Sequence, residues 1–230
     1  MIFVRLLSLV INVRKKNRKE KELELTESEA CFVLVNITLR LLRGVCFHFF
    51  SPKKLVLVGK STSFIGRSRL DVGKKNIIGN FVTISAIGTE GIRLGNDVSI
   101  GDFSKLVVSA DFTNLGKGIE LQDGVGIGEY SRIGGSGGVR IGKNTIIGQY
   151  FSCHPENHIY CDKNIPIKFQ GTERGKINIG SGCWIGSKVT VLAGAIIGNN
   201  CVVAAGAVVN GVFPDSCVIG GVPAKVLKKL

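Results

Sequence analysis

The sequence predicts an all-β fold, a parallel β-helix shaped as a triangular prism, preceded by an N-terminal amphipathic helical segment. Three observations predict the prism. An aliphatic residue returns at every sixth position, glycine usually follows it, and the sites come in threes, so that three hexads make one turn of the chain. A period of six fits neither an α-helix, which repeats at 3.6, nor a half-buried strand, which alternates at two.

The inward-facing positions follow directly from this period. The last run is unbroken and consists of Ile179, Ile185, Val191, Ile197, Val203 and Val209. The earlier groups are Val72, Ile78, Ile84; Leu94, Ile100, Leu106; Leu121, Ile127, Ile133; and Ile141, Ile147, Cys153. We expect every one of these side chains to be buried. A β-sandwich is the alternative, but it predicts alternation and longer strands.

Glycines and small residues accompany these sites. Glycine follows the aliphatic residue at Gly73, Gly79, Gly95, Gly101, Gly128, Gly134, Gly142, Gly148, Gly180, Gly186 and Gly198. We expect these glycines to form the corners, because glycine tolerates unusual backbone angles without steric cost. Four places after the aliphatic residue, a second set is expected to fill small inner positions: Val98, Cys183, Val189, Ala195, Cys201 and Ala207.

Residues 1–52 are predicted to form a separate basic and amphipathic segment. Residues 1–13 are apolar except for Arg5, Ser8 and Asn12, and they are too few to span a bilayer. In residues 30–50, a helix would place Asn36, Arg40 and Arg43 on one stripe. The opposite side would carry Leu34, Thr38, Leu41, Leu42, Val45 and Phe49. This layout is typical of a helix in a membrane interface, and the alternative is packing on the first coil or on a neighbouring subunit.

Charge and cysteine content limit the possible partners. The net charge is +13, and one basic cluster comprises Arg14, Lys15, Lys16, Arg18, Lys19 and Lys21. No aromatic residues interleave with this cluster, which argues against nucleic acid and favours anionic lipid. The seven cysteines are an odd number without metal-finger spacing, which suits a reducing compartment. We therefore expect a cytoplasmic protein, peripheral at the inner face of the membrane.

Within the predicted β-helix domain, residues 53–230, the rhythm stops near residues 153–176. This stretch contains His154 and His158, two of the three histidines of the chain, and the rhythm resumes just before Trp184, the single tryptophan. A loop that leaves a regular scaffold and carries titratable groups is a common place for chemistry. We therefore expect the active site in this loop.

Four short motifs occur in a recognisable order. They are Asn157-His158, Trp184-Ile185-Gly186, the run from Ala204 to Val209, and the run from Gly221 to Lys225. In residues 55–230 the sequence resembles the hexapeptide-repeat acyltransferases, in particular those that O-acetylate sugars and polysaccharides. The resemblance implies a left-handed β-helix, acetyl-CoA as acyl donor without a metal, a carbohydrate acceptor that is lipid-linked in a membrane setting, and a homotrimer with sites between prisms.

The resemblance also implies roles for particular residues. His158 takes the position of the general base, with His154 as the second candidate; the acceptor hydroxyl then attacks the thioester directly. The implied coenzyme A contacts are Trp184, Gly186, Ser187, Ala205, Lys225 and Lys228, with the Ser187 N–H facing the thioester oxygen. The Thr-Lys step common in the family is Asn210-Gly211 here, which removes one cation from the expected cofactor contact.

Three other functions are alternatives to O-acetyl transfer. An N-acetyltransferase of an amino-sugar nucleotide shares the reaction and the donor, and it is the main alternative. A non-catalytic structural solenoid would leave the interrupted loop unexplained. A zinc enzyme of the carbonic anhydrase type needs three histidine ligands, whereas this chain has only His48, His154 and His158, the first outside the predicted prism.

Overall fold

The computed structural model describes residues 2–14, 24–46, 54–111 and 113–230, and of residues 9–14 only the backbone. Several positions of the sequence analysis lie outside the described residues: Lys15, Lys16, Arg18, Lys19, Lys21, His48 and Phe49.

The body of the protein is a three-sided β-helix in which short parallel strands stack into three sheets. The first sheet contains β1 (Leu57–Val58), β4 (Ile77–Ile78), β7 (Ser99–Ile100), β10 (Gly126–Ile127), β13 (Ile146–Ile147), β18 (Trp184–Ile185), β21 (Val202–Val203), β24 (Cys217–Gly221) and β25 (Ala224–Lys229). The second sheet contains β2 (Ser63–Ile65), β5 (Thr83–Ser85), β8 (Lys105–Val107), β11 (Arg132–Gly134), β14 (Ser152–His154), β19 (Thr190–Leu192) and β22 (Val208–Val209).

The third sheet contains β3 (Leu70–Val72), β6 (Gly91–Leu94), β9 (Gly118–Leu121), β12 (Val139–Ile141), β17 (Ile177–Ile179), β20 (Ile196–Ile197) and β23 (Val212–Phe213). Outside the prism, β15 (Glu156–His158) and β16 (Thr172–Arg174) form an antiparallel hairpin. Two short 3-10 helices span Arg67–Arg69 and Ile167–Phe169. The last strand, β25, turns back antiparallel to β24.

The interior of the prism follows the predicted period. All eighteen predicted inward positions are buried, and none is more than 5% exposed. The predicted small positions, from Val98 to Ala207, are also buried, at 1% exposure or less. The second position is not restricted to small residues, because Phe151 fills it four places after Ile147 and is only 1% exposed.

The predicted reason for the glycines is wrong. Gly73 and Gly79 have ordinary backbone angles, and the left-handed corner residues come two places later, at Lys75 (φ 60°) and Phe81 (φ 55°). A Cβ on Gly73 would lie 2.4 Å from the carbonyl oxygen of Gly95 in the next coil. These glycines therefore permit close coil stacking, and the left-handed corner position is taken by other residues, which include a second set of glycines such as Gly182 and Gly194.

Two helices precede the prism, α1 (Ile2–Arg14) and α2 (Glu27–Cys46). The start of α2 is a capping box: Thr26 Oγ1 accepts from the N–H of Glu29, while Glu29 Oε2 accepts from the N–H of Thr26. α2 packs against α1 and β1, so the predicted alternative of packing on the first coil is confirmed. None of the described helices has the length and apolar character needed to cross a bilayer.

The predicted division of α2 into an arginine side and an apolar side is only partly right. Leu34 and Leu41, assigned to the lipid side, are partly buried, and Arg40 lies in a groove over the first sheet. The exposed apolar stripe instead consists of Phe32, Val35, Leu39, Leu42 and Val45, continued on α1 by Ile2, Phe3 and Leu6. The exposed stripe thus includes Leu42 and Val45 of the predicted lipid side, while Leu34 and Leu41 of that side and Arg40 of the polar side are partly buried.

Candidate active site

Two insertions leave the prism at the same edge, between the second and third sheets. Regular coils repeat after 18 residues, as between Trp184 and its partner Val202. The step from Ser99 to its partner Gly126 is 27 residues, and that from Ile146 to Trp184 is 38. The first insertion is the 108–117 loop; the second, residues 155–176, contains β15 and β16 and is called here the histidine hairpin. Between them lies a cleft of about 380 Å³.

Arg174 on β16 ties the two insertions together. Its Nε lies 3.1 Å from Glu156 Oε2 across the histidine hairpin. Its Nη1 and Nη2 donate to the backbone carbonyls of Leu115 at 2.9 Å and Asn114 at 2.8 Å. One guanidinium therefore fixes the 108–117 loop against the histidine hairpin and sets the width of the cleft.

His154 ends β14 and lies in the cleft wall formed by the second sheet. Its Nε2 is 2.5 Å from Ser152 Oγ, two residues earlier on the same strand and therefore on the same face. Burial lowers the pKa of His154, and the nearby Arg132 guanidinium lowers it further. The imidazole is accessible from the cleft and neutral at pH 7, the state in which it can take a proton.

His158 lines the same cleft from the end of β15, opposite Thr172 in the hairpin register. Its side chain is exposed, and the strand that carries it lies outside the prism. The structure thus brings both candidate bases to one cavity, with His154 on the rigid scaffold and His158 on the insertion. Cys153, whose thiol would be a potential nucleophile, is buried in the core, and burial raises the pKa of the thiol, which stays protonated.

The predicted coenzyme A contacts lie elsewhere on the chain. Trp184 belongs to the first sheet, and Gly186, Ser187 and Ala205 lie at the edge between the first and second sheets. Ser187 Oγ is hydrogen-bonded to Gln149 Oε1 at 2.9 Å. Gln149 lies in the turn before β14, and His154 is the last residue of that strand, so the two lie at opposite edges of the second sheet. Within one chain these groups and His154 do not meet.

The two lysines of the predicted cofactor set lie on β25. Lys225 is paired with Gly220 and Lys228 with Val218, and both side chains are exposed. They belong to the end of the first sheet, on the same sheet as Trp184. The described residues contain no group of three or more histidine, cysteine or acidic side chains arranged to hold a metal ion.

The 108–117 loop, Arg132 and Arg174 were not identified from the sequence as parts of the cleft. The 108–117 loop gave a signal, since the step from Leu106 to Leu121 exceeds a hexad by nine residues. No sequence signal marked Arg132, because the hexad that contains it has the same pattern as the other hexads. Arg174 reaches a partner 60 residues earlier in the sequence, a relation that no local pattern contains.

Known proteins resemble this chain in sequence. The family model of bacterial transferase hexapeptide repeats matches residues 176–211. WbbJ of Escherichia coli K12, named for O-acetyl transfer in lipopolysaccharide biosynthesis, is 35% identical over 146 residues, covering 60% of this chain and 74% of WbbJ. Rv3034c of Mycobacterium tuberculosis, named as an acetyltransferase, is 35% identical over 137 residues, but the match spans only 44% of that protein.

Solved structures resemble it in fold. AntD, an N-acyltransferase from Bacillus cereus solved with dTDP and 3-hydroxybutyryl-CoA, has a TM-score of 0.55 at 18% identity, covering 82% of this chain and 87% of AntD. The polysialic acid O-acetyltransferase OatWY has a TM-score of 0.50 at 22% identity, covering 75% of this chain and 89% of OatWY. Together with the repeat and the sequence relatives, these show that the chain belongs to the hexapeptide-repeat acyltransferase family and has its left-handed parallel β-helix fold.

Proposed function

We propose that this protein is an acetyl-CoA-dependent O-acetyltransferase that acts on a hydroxyl of a sugar or surface-polysaccharide precursor. The observation that carries the proposal is His154, an imidazole kept neutral in the wall of a polar cleft on an acyltransferase scaffold. The name of WbbJ, a sequence relative, supports a glycan hydroxyl as acceptor.

For the base, the geometry favours His154 over His158, the position that the family resemblance suggested. His154 is held by Ser152 on a strand that is paired on both sides, whereas His158 lies on the exposed hairpin. A ring nitrogen of His154 would take the hydroxyl proton as the oxygen attacks the thioester carbonyl. The same proton would then pass to the departing thiolate. Because the acceptor oxygen attacks the thioester directly, no acyl-enzyme forms.

For the donor, the proposed contacts remain Trp184, Gly186, Ser187, Ala205, Lys225 and Lys228, all on the first sheet or at its edge. Backbone N–H groups at that edge can stabilise the charge that develops on the thioester oxygen. The two lysines offer cations to the coenzyme A phosphates.

Because these groups lie on the first sheet or at its edge, whereas His154 lies at the far edge of the second sheet, we propose that the complete site forms between two copies, in a homotrimer. The same edge of the prism exposes a stack of aromatic rings, Phe81, Phe103, Tyr130 and Tyr150, which is suited to an interface.

Mixing two inactive variants tests this arrangement. His154→Ala removes the base, and Ala205→Trp obstructs the proposed cofactor path. If the site is shared between copies, subunit exchange between the two variants restores part of the activity. If each copy holds a complete site, the mixture stays inactive.

We further propose that the exposed apolar stripe of α1 and α2 rests on an anionic membrane surface. The stripe lies beside Arg43 on α2 and close in sequence to the basic cluster of residues 14–21. An apolar face combined with a polybasic segment is sufficient for stable peripheral binding. A membrane location would bring the cleft to a lipid-linked glycan at the cytoplasmic face.

Vesicle binding tests the membrane proposal. Leu39→Glu, in the stripe, should abolish sedimentation with vesicles that contain anionic lipid. Asn36→Glu adds the same charge on the same helix outside the stripe and serves as the control, with only a modest expected loss. Equal binding by both variants would contradict the proposal.

Incubation with acetyl-CoA and a panel of glycans tests the activity itself, with release of free thiol and the product mass as readouts. O-acetylation yields an ester that mild alkali cleaves, whereas the N-acetyl alternative yields a stable amide. Absence of thiol release with every acceptor would refute the proposed function.

A further inference from the structure

The outer faces of the second and third sheets carry charge in different patterns. On the third sheet, Asp71, Arg93, Glu120 and Arg140 lie opposite one another in four successive strands. Opposite charges alternate, and two ion pairs result, Arg93 with Asp71 at 4.0 Å and Arg140 with Glu120 at 3.5 Å. This face neutralises itself.

The outer face of the second sheet instead carries like charges opposite each other. Lys105 on β8 lies directly opposite Arg132 on β11, and both side chains are exposed. The strands of this sheet contain no aspartate or glutamate. Within the part of the chain that the structure describes, neither cation has an ion pair. Like charges opposite each other destabilise a sheet, so this pair costs stability and gains nothing inside the chain.

The two carboxylates that line the cleft with Arg132 have other hydrogen-bond partners. Arg132 lines the cleft together with Asp111 and Glu156. Asp111 Oδ1 accepts hydrogen bonds from the N–H and hydroxyl of Thr113, at 2.8 and 2.7 Å. Glu156 is bound to Arg174. Arg132 is therefore a cation in the cleft wall, beside His154, that has no ion pair among the described residues.

We propose that Arg132, with Lys105 behind it, binds an anionic group of the acceptor, so that the substrate is an acidic glycan or a phosphate-bearing sugar. This inference rests on the proposed function and adds the acceptor class to it. A guanidinium fork matches the two oxygens of a carboxylate or phosphate. Binding there places the acceptor within reach of His154 on the adjacent strand, β14.

Two acceptor pairs distinguish the sources of the anion. An oligohexuronate is compared with its carboxyl-reduced, neutral counterpart, and a hexose 1-phosphate with the free hexose. Each is assayed with the wild type, Arg132→Gln, Arg132→Lys and the control Arg140→Gln, whose arginine lies on the third sheet of the same coil. The assays run at pH 8, where His154 is neutral in every variant.

In Arg132→Gln we expect the KM for the preferred anionic acceptor to rise roughly 10- to 100-fold, the range for a lost hydrogen bond to a charged group. Arg132→Lys should retain part of the affinity for this acceptor. The KM for the acceptor should stay unchanged in Arg140→Gln, and the KM for acetyl-CoA should stay unchanged in Arg132→Gln. Whichever pair shows the effect identifies carboxylate or phosphate.

Three results would overturn the inference: equal KM values for charged and neutral acceptors, no change in Arg132→Gln, or a change confined to the KM for acetyl-CoA, which would assign Arg132 to the donor phosphates. If no acceptor reacts, the proposed function fails instead. Calorimetric binding of the oligohexuronate and the hexose 1-phosphate to wild type and Arg132→Gln then still tests the anion site by itself: loss of binding in the variant supports it, and equal or absent binding overturns it.

Discussion

Replacement of Arg174 by glutamine tests whether the 108–117 loop and the histidine hairpin act as one unit. Glutamine keeps most of the length but loses the charge and the fork that reaches Glu156, Asn114 and Leu115. Charged hydrogen bonds are worth about 1.5–3 kcal/mol each when shielded from water, and exposed ion pairs about 0–1. With the Arg174 side chain 28% exposed, we expect about 2 kcal/mol of docking free energy to be lost.

A loss of about 2 kcal/mol shifts the docking equilibrium of the loop roughly 30-fold. Hydrogen exchange at the amides of residues 113–117 should accelerate by that factor, and kcat/KM for the acceptor should fall, while the midpoint of thermal unfolding stays nearly unchanged. Arg93→Gln removes an exposed ion pair on the third sheet and serves as the control. Unchanged exchange together with unchanged kcat/KM in Arg174→Gln would refute the role of this contact.

Further predictions concern coil stacking and the titration of the cleft. Gly180→Ala should lower the free energy of unfolding in urea by about 3 kcal/mol, because its Cβ would lie 2.3 Å from a backbone oxygen of the next coil. Gly126→Ala, whose nearest contact is a serine hydroxyl at 3.3 Å, should cost less than about 1 kcal/mol; equal losses would contradict the stacking argument. Because the pKa of His154 is lowered, its neutral form persists into weak acid. The decrease of kcat/KM on the acid side should therefore have its midpoint below about pH 6.5, the ordinary pKa of histidine. Arg132→Gln should shift the acid limb of kcat/KM to higher pH, because it removes a cation that lowers the pKa of His154. An unshifted limb would show that His154 is not the group that titrates.

The prism could be predicted because its six-residue repeat relates residues that are close in sequence. A period of six places each aliphatic residue on the inside wherever the corners fall, so positions as far apart as Val72 and Val209 were correctly assigned. The role of the glycines could not be inferred in the same way. Whether Gly73 serves a corner or a close approach depends on Gly95 in the following coil, which lies next to it only after folding.

The candidate site could be predicted only in part. The interrupted rhythm located His154 and His158, because a missing period is also a local signal. The family resemblance ranked His158 first. The opposite ranking proposed here depends on Ser152 and Arg132 around the His154 ring and on the hairpin strand that carries His158 outside the prism. The opposite wall of the cleft depends on contacts between distant segments.

The faces of α2 show a similar limit. The helical period identifies an apolar side and a charged side, but it does not say which side the prism will take. Leu34 and Leu41 of the predicted apolar side are partly buried, as is Arg40 of the charged side, whereas Phe32, Leu39 and Leu42 are exposed. The buried face therefore lies between the two predicted sides, and tertiary packing on α1 and β1 determines its position.

The central claim is that His154 removes the proton from the acceptor hydroxyl. The most direct measurement is kcat for acetyl transfer in His154→Ala and His158→Ala, with the Kd for coenzyme A measured on each variant. We predict that His154→Ala lowers kcat by about 10²- to 10⁴-fold, with the Kd within about twofold of the wild type, and that His158→Ala loses far less. Full turnover in His154→Ala, or a larger loss in His158→Ala, would contradict the claim.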